Sequence, residues 1–335
     1  MENAMRALVS VVPGGTETLK LCHLPIPEPK PGEVRLRIHA VGVNYPDLLI
    51  IADRYQYRPE RPFSPGAEVA AVVDTIGTGV RSLVPGQRVM AMLGWGGMAD
   101  YACVEAAKCF VIPDSMPMDE ASAFLMTYGT SYHALKDRAG MREGETLLVL
   151  GAGGGVGLAA VELGHAMGAR VVAAASSTAK LEVARALGAD LTLTYARGPL
   201  DRDAQKAFTA ELKAACGERG ADVIYDPVGG SYAEPALRAI ARGGRYLVVG
   251  FPAGIPAIPL NLPLLKECDI CGVFWGSHVE HDPSGHARAM AELFEMYRLG
   301  QIRPVIHQRF PLEQAAAAIA ALSGRDVAGK VVVTL

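Results

Sequence analysis

The stretch that decides the fold runs from Thr146 to Asp190. It opens TLLVL (146–150), GAGGGVG (151–157), LAAVELGHAMGA (158–169) and RVVAAASS (170–177). A short, uncharged apolar run is the mark of a strand buried on both faces. Leu158, Val161, Glu162 and His165 stand at helical spacing, and Gly168 lies where a helix would stop. The last piece is a second apolar strand, so the whole is a βαβ unit whose tight turn is glycine. An anionic pyrophosphate needs backbone N–H groups at a helix N-terminus and nothing larger than hydrogen in its way. The register here is Ala152, Gly154, Gly157, an AxGxxG variant with further glycines at 151, 153 and 155. Glycines alone would fit a loop that only turns the chain. Glycines between a strand and a helix, with a second strand about twenty residues on, point to dinucleotide binding.

The chain of 335 residues has room for two domains, and a hydrophobic share of 50% supplies a large core. A net charge of −3 lacks the basic excess of a nucleic-acid protein. The start MENAMRALVS has no basic region followed by an apolar core, and no uncharged run is long enough to span a membrane. The 6 cysteines are scattered rather than arranged as a disulfide framework. These features lead to the expectation of a cytoplasmic protein with neither a nucleic-acid nor a membrane partner.

Before the glycine turn, residues 1 to about 120 read as β-rich. Apolar runs at 7–12, 34–41, 67–76 and 88–93 are punctuated by Pro-Gly pairs, as in a compact β-barrel. Between 119 and 139 the period becomes helical, with Asp119 as a candidate cap. After the turn, helices at 179–187, 202–216 and 233–241 alternate with strands at 191–195, 222–225, 244–251 and 270–275, which implies a parallel, doubly wound sheet. The tail carries two helices and ends in a strand from Lys330. A lone terminal strand is expected to return to the first domain. That makes the fold α/β, with a Rossmann-type domain at 123–276 inserted into a β-rich domain of 1–122 and 277–335.

The segments GVNYPDLL (42–49), PFSPGAEVAAVVDTIGTGV (62–80), VPGQRVMA (84–91), MTYGTSYHAL (126–135), GAGGGVGLAAVELGHAMGA (151–169), DPVGG (226–230), GRYLVVGF (244–251) and GKVVV (329–333) stand in one characteristic order. Over nearly its whole length the chain resembles the medium-chain dehydrogenase/reductase superfamily, and within it the zinc-free quinone oxidoreductase branch. The resemblance implies a GroES-like β-rich catalytic domain and a homodimer paired through edge strands, here 270–275. Zinc-containing relatives place ligands at positions that hold Asn44, Ala67 and Thr127 in this sequence, and none of these is a good zinc ligand. The segment expected to carry their four-cysteine lobe has only Cys103. No metal is therefore expected, and hydride would pass to an acceptor that needs no Lewis acid.

An NAD enzyme wants an acid at the end of the second strand, for the ribose 2′-OH. That end reads Ala173-Ala174-Ala175-Ser176-Ser177-Thr178, with no acid before Glu182. An acid would repel a 2′-phosphate, whereas hydroxyls and a cation accept one. The nearest cation is Lys180, which also suits a solvated helix face. NADP(H) is therefore expected. The resemblance matches Ser176, Lys180, Tyr195 and Arg325 to 2′-phosphate positions. The glycine turn contributes Ala152, Gly154, Gly155, Val156 and Gly157. At the nicotinamide end the resemblance implies Asn44, Thr130, the backbone of Gly250 and Phe251, and Phe274, Trp275 and Gly276. Tyr45, Tyr128 and Trp275 are candidates for an aromatic substrate wall, and Tyr45 for a bond or proton to a quinone oxygen; each also suits plain core packing.

Three other patterns carry less. Tyr132 and Lys136 make a YxxxK pair, but the short-chain dehydrogenases that use it place it after their glycine motif, not before. Cys268 and Cys271 with His278 and His281 look like a metal cluster, yet residues three apart on a strand point to opposite faces. His133 and His165 on helices read as satisfied polar residues. Three functions remain open: reduction of a quinone by NADPH, reduction of an enone or enoyl-thioester, and a catalytically weak NADPH-binding structural or RNA-binding role.

Overall fold

The structure, a computed structural model, describes residues 4–324 and 326–335. Two compact units divide the chain at 126/127 and again at 303/304. The second division lies well beyond the 276/277 read from sequence, because the helix Pro283–Arg298 belongs to the inserted unit. Its buried stripe includes Met290, Leu293 and Tyr297.

The unit built from both ends of the chain is β-rich. Its long strand Glu33–Val43 alternates Val34, Leu36, Ile38 and Ala40 toward the core, the period of two that a half-buried strand requires. On one side it pairs antiparallel with Glu68–Ile76, and that strand with Arg88–Met92. On the other side lies the terminal strand Lys330–Thr334, with Val331 opposite Val43 and Val333 opposite Val41. The return of the last strand to the first unit is thus a ladder, and it brings Lys330 beside the end of Glu33–Val43. Asp119 is not a cap. It stands in the first turn of the short helix Met118–Ala121, whose N-cap is Pro117, and it receives Arg309 Nε at 2.7 Å.

The inserted unit is a six-stranded parallel sheet. Across it the strands run Leu191–Thr194, Arg170–Ala175, Thr146–Val149, Ala221–Asp226, Ile240–Val248 and Asp269–Gly272. The order reverses beside Thr146–Val149, the switch point where such sheets bind dinucleotides. Val171 to Ala175 are all buried, as expected of a strand covered on both faces. Two boundaries differ from the sequence reading. The helix at 233–241 stops at Arg238, and the next strand begins at Ile240, so it ends before Phe251. The edge strand ends at Gly272, and Trp275 opens the helix Trp275–His281. Among the described residues no helix is long and apolar enough to cross a membrane.

Candidate functional site

In the inserted unit, the glycine turn joins the end of Thr146–Val149 to the helix Gly155–Ala166, with Gly154 as its N-cap. A Cβ on Gly157 would come within 2.2 Å of the Gly151 carbonyl oxygen, so only glycine lets the helix sit this close to its strand. Gly154 differs. Its nearest neighbour to such a Cβ is the Gly151 carbonyl oxygen at 3.6 Å, so the protein itself leaves space at the helix N-terminus. Ser131 ties this first turn to the helix Leu125–Tyr132: its hydroxyl reaches the Val156 carbonyl at 2.9 Å and the Tyr225 hydroxyl at 2.9 Å.

Of the residues matched to a 2′-phosphate, Ser176, Lys180 and Tyr195 stand near the turn. Ser176 follows directly on the strand Arg170–Ala175, and no acid stands there. The aliphatic stem of Lys180 lies over Gly153, within 2.5 Å of where a Cβ would be. Tyr195 follows the next strand, packs against Tyr232 at 4.9 Å and turns its phenol to the Gly151 backbone. Burial pushes that phenol up, so it stays protonated and can donate. Arg325 lies outside the described residues.

The DPVGG segment supports the far side. Asp226 ends its strand, is buried, and accepts from Val228 N at 2.8 Å, Gly229 N at 2.9 Å and the Tyr246 hydroxyl. Its carbonyl takes Val249 N at 3.0 Å and Gly250 N at 3.3 Å, which fixes the loop carrying Gly250 and Phe251. Phe251 itself is exposed. The sequence reading quoted the segment without assigning Asp226 this work.

Tyr128 and Trp275 are not placed as an open aromatic wall. Tyr128 is buried in the helix Leu125–Tyr132, with its hydroxyl on the Glu162 carboxylate, which also takes Arg303 N at 3.1 Å. Burial pushes Glu162 up to about 7 against those two bonds. The indole of Trp275 covers Gly129, whose added Cβ would meet it at 2.7 Å, and stands edge-on to His286 at 5.5 Å. Thr130, on the same helix, is half-buried, while Phe274 is exposed and Gly276 follows Trp275 in its short helix. Tyr132 and Lys136 both turn to Glu292, so their spacing makes no paired base.

In the β-rich unit, Asn44 ends the long strand and caps the helix Tyr45–Ile51. Its side chain is fully engaged. Nδ2 donates to Gly42 O at 3.0 Å and to Glu68 Oε2 at 2.9 Å, and Oδ1 accepts from Lys330 Nζ at 2.6 Å. The ammonium also reaches Val43 O at 3.0 Å and Glu68 at 3.3 Å, while Glu68 Oε1 accepts from Met126 N at 3.0 Å. Asp47 completes the group by accepting Asn44 N at 2.8 Å and Gly66 N at 3.0 Å; burial raises it to about 6. Tyr45 is different again, 44% exposed at the start of the helix. Glu68, Asp47 and Lys330 escaped the sequence reading. Lys330 is a charge opening a strand whose next three residues are buried valines, and that was the available signal.

Residues 155–294 match the family described as zinc-binding dehydrogenase, and residues 30–114 the alcohol dehydrogenase GroES-like domain. The chain is 36% identical to a quinone oxidoreductase-like protein 2 homolog of Nematostella vectensis, over 90% of this chain and 81% of that protein. It is 35% identical to the quinone oxidoreductase-like protein 2 of Bos taurus, over 91% and 86% of the two chains. Among solved structures, the quinone oxidoreductase of Thermus thermophilus, determined alone and with NADPH, superposes with a TM-score of 0.84 at 35% identity, covering 98% of this chain and 100% of that one.

The family description names zinc, and the residues here do not fit it. Asn44 already holds a lysine ammonium, which would repel a second cation. Ala67 has no donor atom, and Thr127 is a buried hydroxyl. Cys103 lies in the strand Tyr101–Glu105, and among the described residues no cysteine belongs to a metal-ligand cluster. The chain belongs to the medium-chain dehydrogenase/reductase superfamily, alongside quinone oxidoreductases.

Proposed function

We propose that this oxidoreductase transfers hydride from NADPH to a quinone without zinc. The observation that carries the reading is the surround of the glycine turn: a Gly154 helix N-terminus where even a Cβ meets nothing closer than 3.6 Å, Ser176 at the strand end, Lys180 over Gly153, and no acid. Bound NADPH would supply the hydride at its nicotinamide carbon. The chain's own residues bind and orient. The N–H groups at the start of Gly155–Ala166 take the pyrophosphate, and Gly157 keeps the helix close. Lys180, with Ser176 and Tyr195, takes the 2′-phosphate, and Arg325 is assigned with them by resemblance. Thr130, the loop at Gly250 and Phe251, and the segment 274–276 are assigned to the nicotinamide end.

The acceptor class follows from the Asn44 centre. With a lysine ammonium already on Asn44, a position matched to a zinc ligand, that side chain is not free to hold a Lewis acid for an alkoxide, which disfavours alcohol oxidation. A quinone accepts hydride directly, and its reduced oxygens can take protons from solvent. Tyr45, the exposed phenol beside Asn44, is assigned to a quinone oxygen. Asn44 and Tyr128 are positioning residues, since both are buried and bonded.

A homodimer is part of the proposal. The edge strand Asp269–Gly272 ends the sheet, and Ile255, Leu260, Leu264, Leu265 and Ile270 nearby are each more than 40% exposed. An exposed apolar patch beside an unpaired strand edge calls for a partner. Light scattering that gives a monomer mass would overturn it.

The test is a panel of NADPH and NADH, each against a para-quinone, a conjugated enone, an enoyl-CoA and a primary alcohol. NADPH with the quinone should give the highest kcat/KM. A higher value with the enone or enoyl-CoA would reassign the substrate. Tight NADPH binding with no turnover would make the chain a binding protein.

A further inference from the structure

Two histidines that the dehydrogenase reading leaves unused meet at one carboxylate. After Tyr132 the helix widens into a single π-type turn, His133–Arg138. Such turns re-aim side chains and recur at functional sites. Here it sets His133 Nδ1 2.8 Å from Asp137 Oδ2. His278, from the helix Trp275–His281, brings Nε2 to 3.7 Å from the same oxygen. The imidazoles lie nearly parallel, with centroids 4.0 Å apart and 16° between planes, so one ring must turn for both in-plane lone pairs to meet a single ion. All three potential ligand atoms fall within 4.8 Å of one another.

We propose that His133, Asp137 and His278 form a binding site for one divalent transition-metal ion of the zinc class. Two imidazoles and one carboxylate suit zinc, cobalt or nickel, whereas magnesium and calcium prefer oxygens alone. The Asp137 and His278 side chains are part-exposed at 39% and 21%, which gives an ion a route in and water a coordination position. The cysteines play no part: His278 sits with His133 and Asp137, and not in a cluster with Cys268 and Cys271.

The ion would act as a staple. It joins the turn 133–138 to the helix Trp275–His281, whose first residue already covers Gly129. Thr130 lies on the helix that runs into that turn, and the segment 274–276 opens the other element. On the proposed function they hold the nicotinamide end, so the staple would stiffen that end without entering the chemistry.

The probe is zinc, with cobalt(II) as its spectroscopic substitute, added to the full chain after chelator treatment. Calorimetry should give one site per chain, and zinc should raise Tm. His278→Ala and Asp137→Asn each leave the buried His133 in place. Each should weaken binding by more than the roughly tenfold to hundredfold that loss of an outer-shell partner costs. The cobalt spectrum should lack thiolate charge-transfer bands. Failure of the wild type to bind, wild-type affinity in either variant, or a thiolate band would overturn the site. These readouts do not depend on turnover, so failure of the quinone assignment leaves them intact. If both hold, zinc lowers the KM for NADPH in the wild type and not in His278→Ala.

Discussion

The glycine turn and the Asn44 centre prepare for charge in opposite ways. Around Gly154 the protein withholds side chains and offers backbone N–H groups to an anion that comes from outside. Around Asn44 it supplies its own cation, and Lys330, Glu68 and Asp47 are closed in with their bonds already made. The first region keeps its helix terminus clear of side chains, whereas the second satisfies its own charges. A metal enzyme would leave the second open too. The contrast is the physical basis for the proposed NADPH chemistry without a Lewis acid.

The strongest way to break this comparison is to remove the internal cation. Lys330→Met should cost about 3–5 kcal/mol, because Glu68 is left buried without its partner. Pairing it with Glu68→Gln should recover much of that in urea melts. A harmless single variant would mean the centre is not held by charge.

Glu162 sharpens the comparison, as a buried carboxyl that no lysine offsets among the causes of its shift. Folding raises its proton affinity from 4.5 to about 7, so the folded state holds more protons across that window. Its contribution to stability is therefore full below pH 4.5 and lost as pH rises toward 7. Glu162→Gln should remove that slope, making the variant the more stable of the two at pH 8 by on the order of 3 kcal/mol. Parallel melts at pH 4 and pH 8 decide it, and an unchanged difference between the two would contradict the burial account.

The two glycines separate packing from ligand space. Gly157→Ala should lower stability by about 1–3 kcal/mol, since its Cβ meets backbone. Gly154→Ala should leave Tm nearly unchanged and weaken NADPH in a fluorescence titration. Equal effects on Tm would remove the distinction. Smaller again, Lys180→Ala should cost about 2 kcal/mol of NADPH affinity, the scale of a charge-assisted bond, and leave NADH unaltered. A parallel loss for both cofactors would return Lys180 to the solvated helix face.

The two regions also differed in how visible they were beforehand. The turn is local. Glycines 151 to 157, the strand before and the helix after lie within about one supersecondary unit, and adjacency in sequence is adjacency in space. The missing acid at Ser176 was readable for the same reason. The Asn44 centre joins residues as far apart as 286 positions, and only the pairing of Lys330–Thr334 with Glu33–Val43 brings them together. Asn44 was named only through the resemblance, without its partners. Tyr128 and Trp275 could not be placed beforehand, because an aromatic on a helix face looks the same in sequence whether it faces a substrate or packs, as these do, on Glu162 and Gly129. The His133 and His278 pair was hidden by a π turn that no helical periodicity anticipates.

The central claim is hydride delivery without a metal, and one assay meets it directly. Protein stripped with a strong chelator, and shown free of zinc by elemental analysis, is mixed with NADPH and a para-quinone while absorbance at the nicotinamide band is followed. The account predicts full turnover, with kcat unaltered by the stripping. Turnover that vanishes with the metal and returns with zinc, or zinc-dependent oxidation of an alcohol, would contradict it.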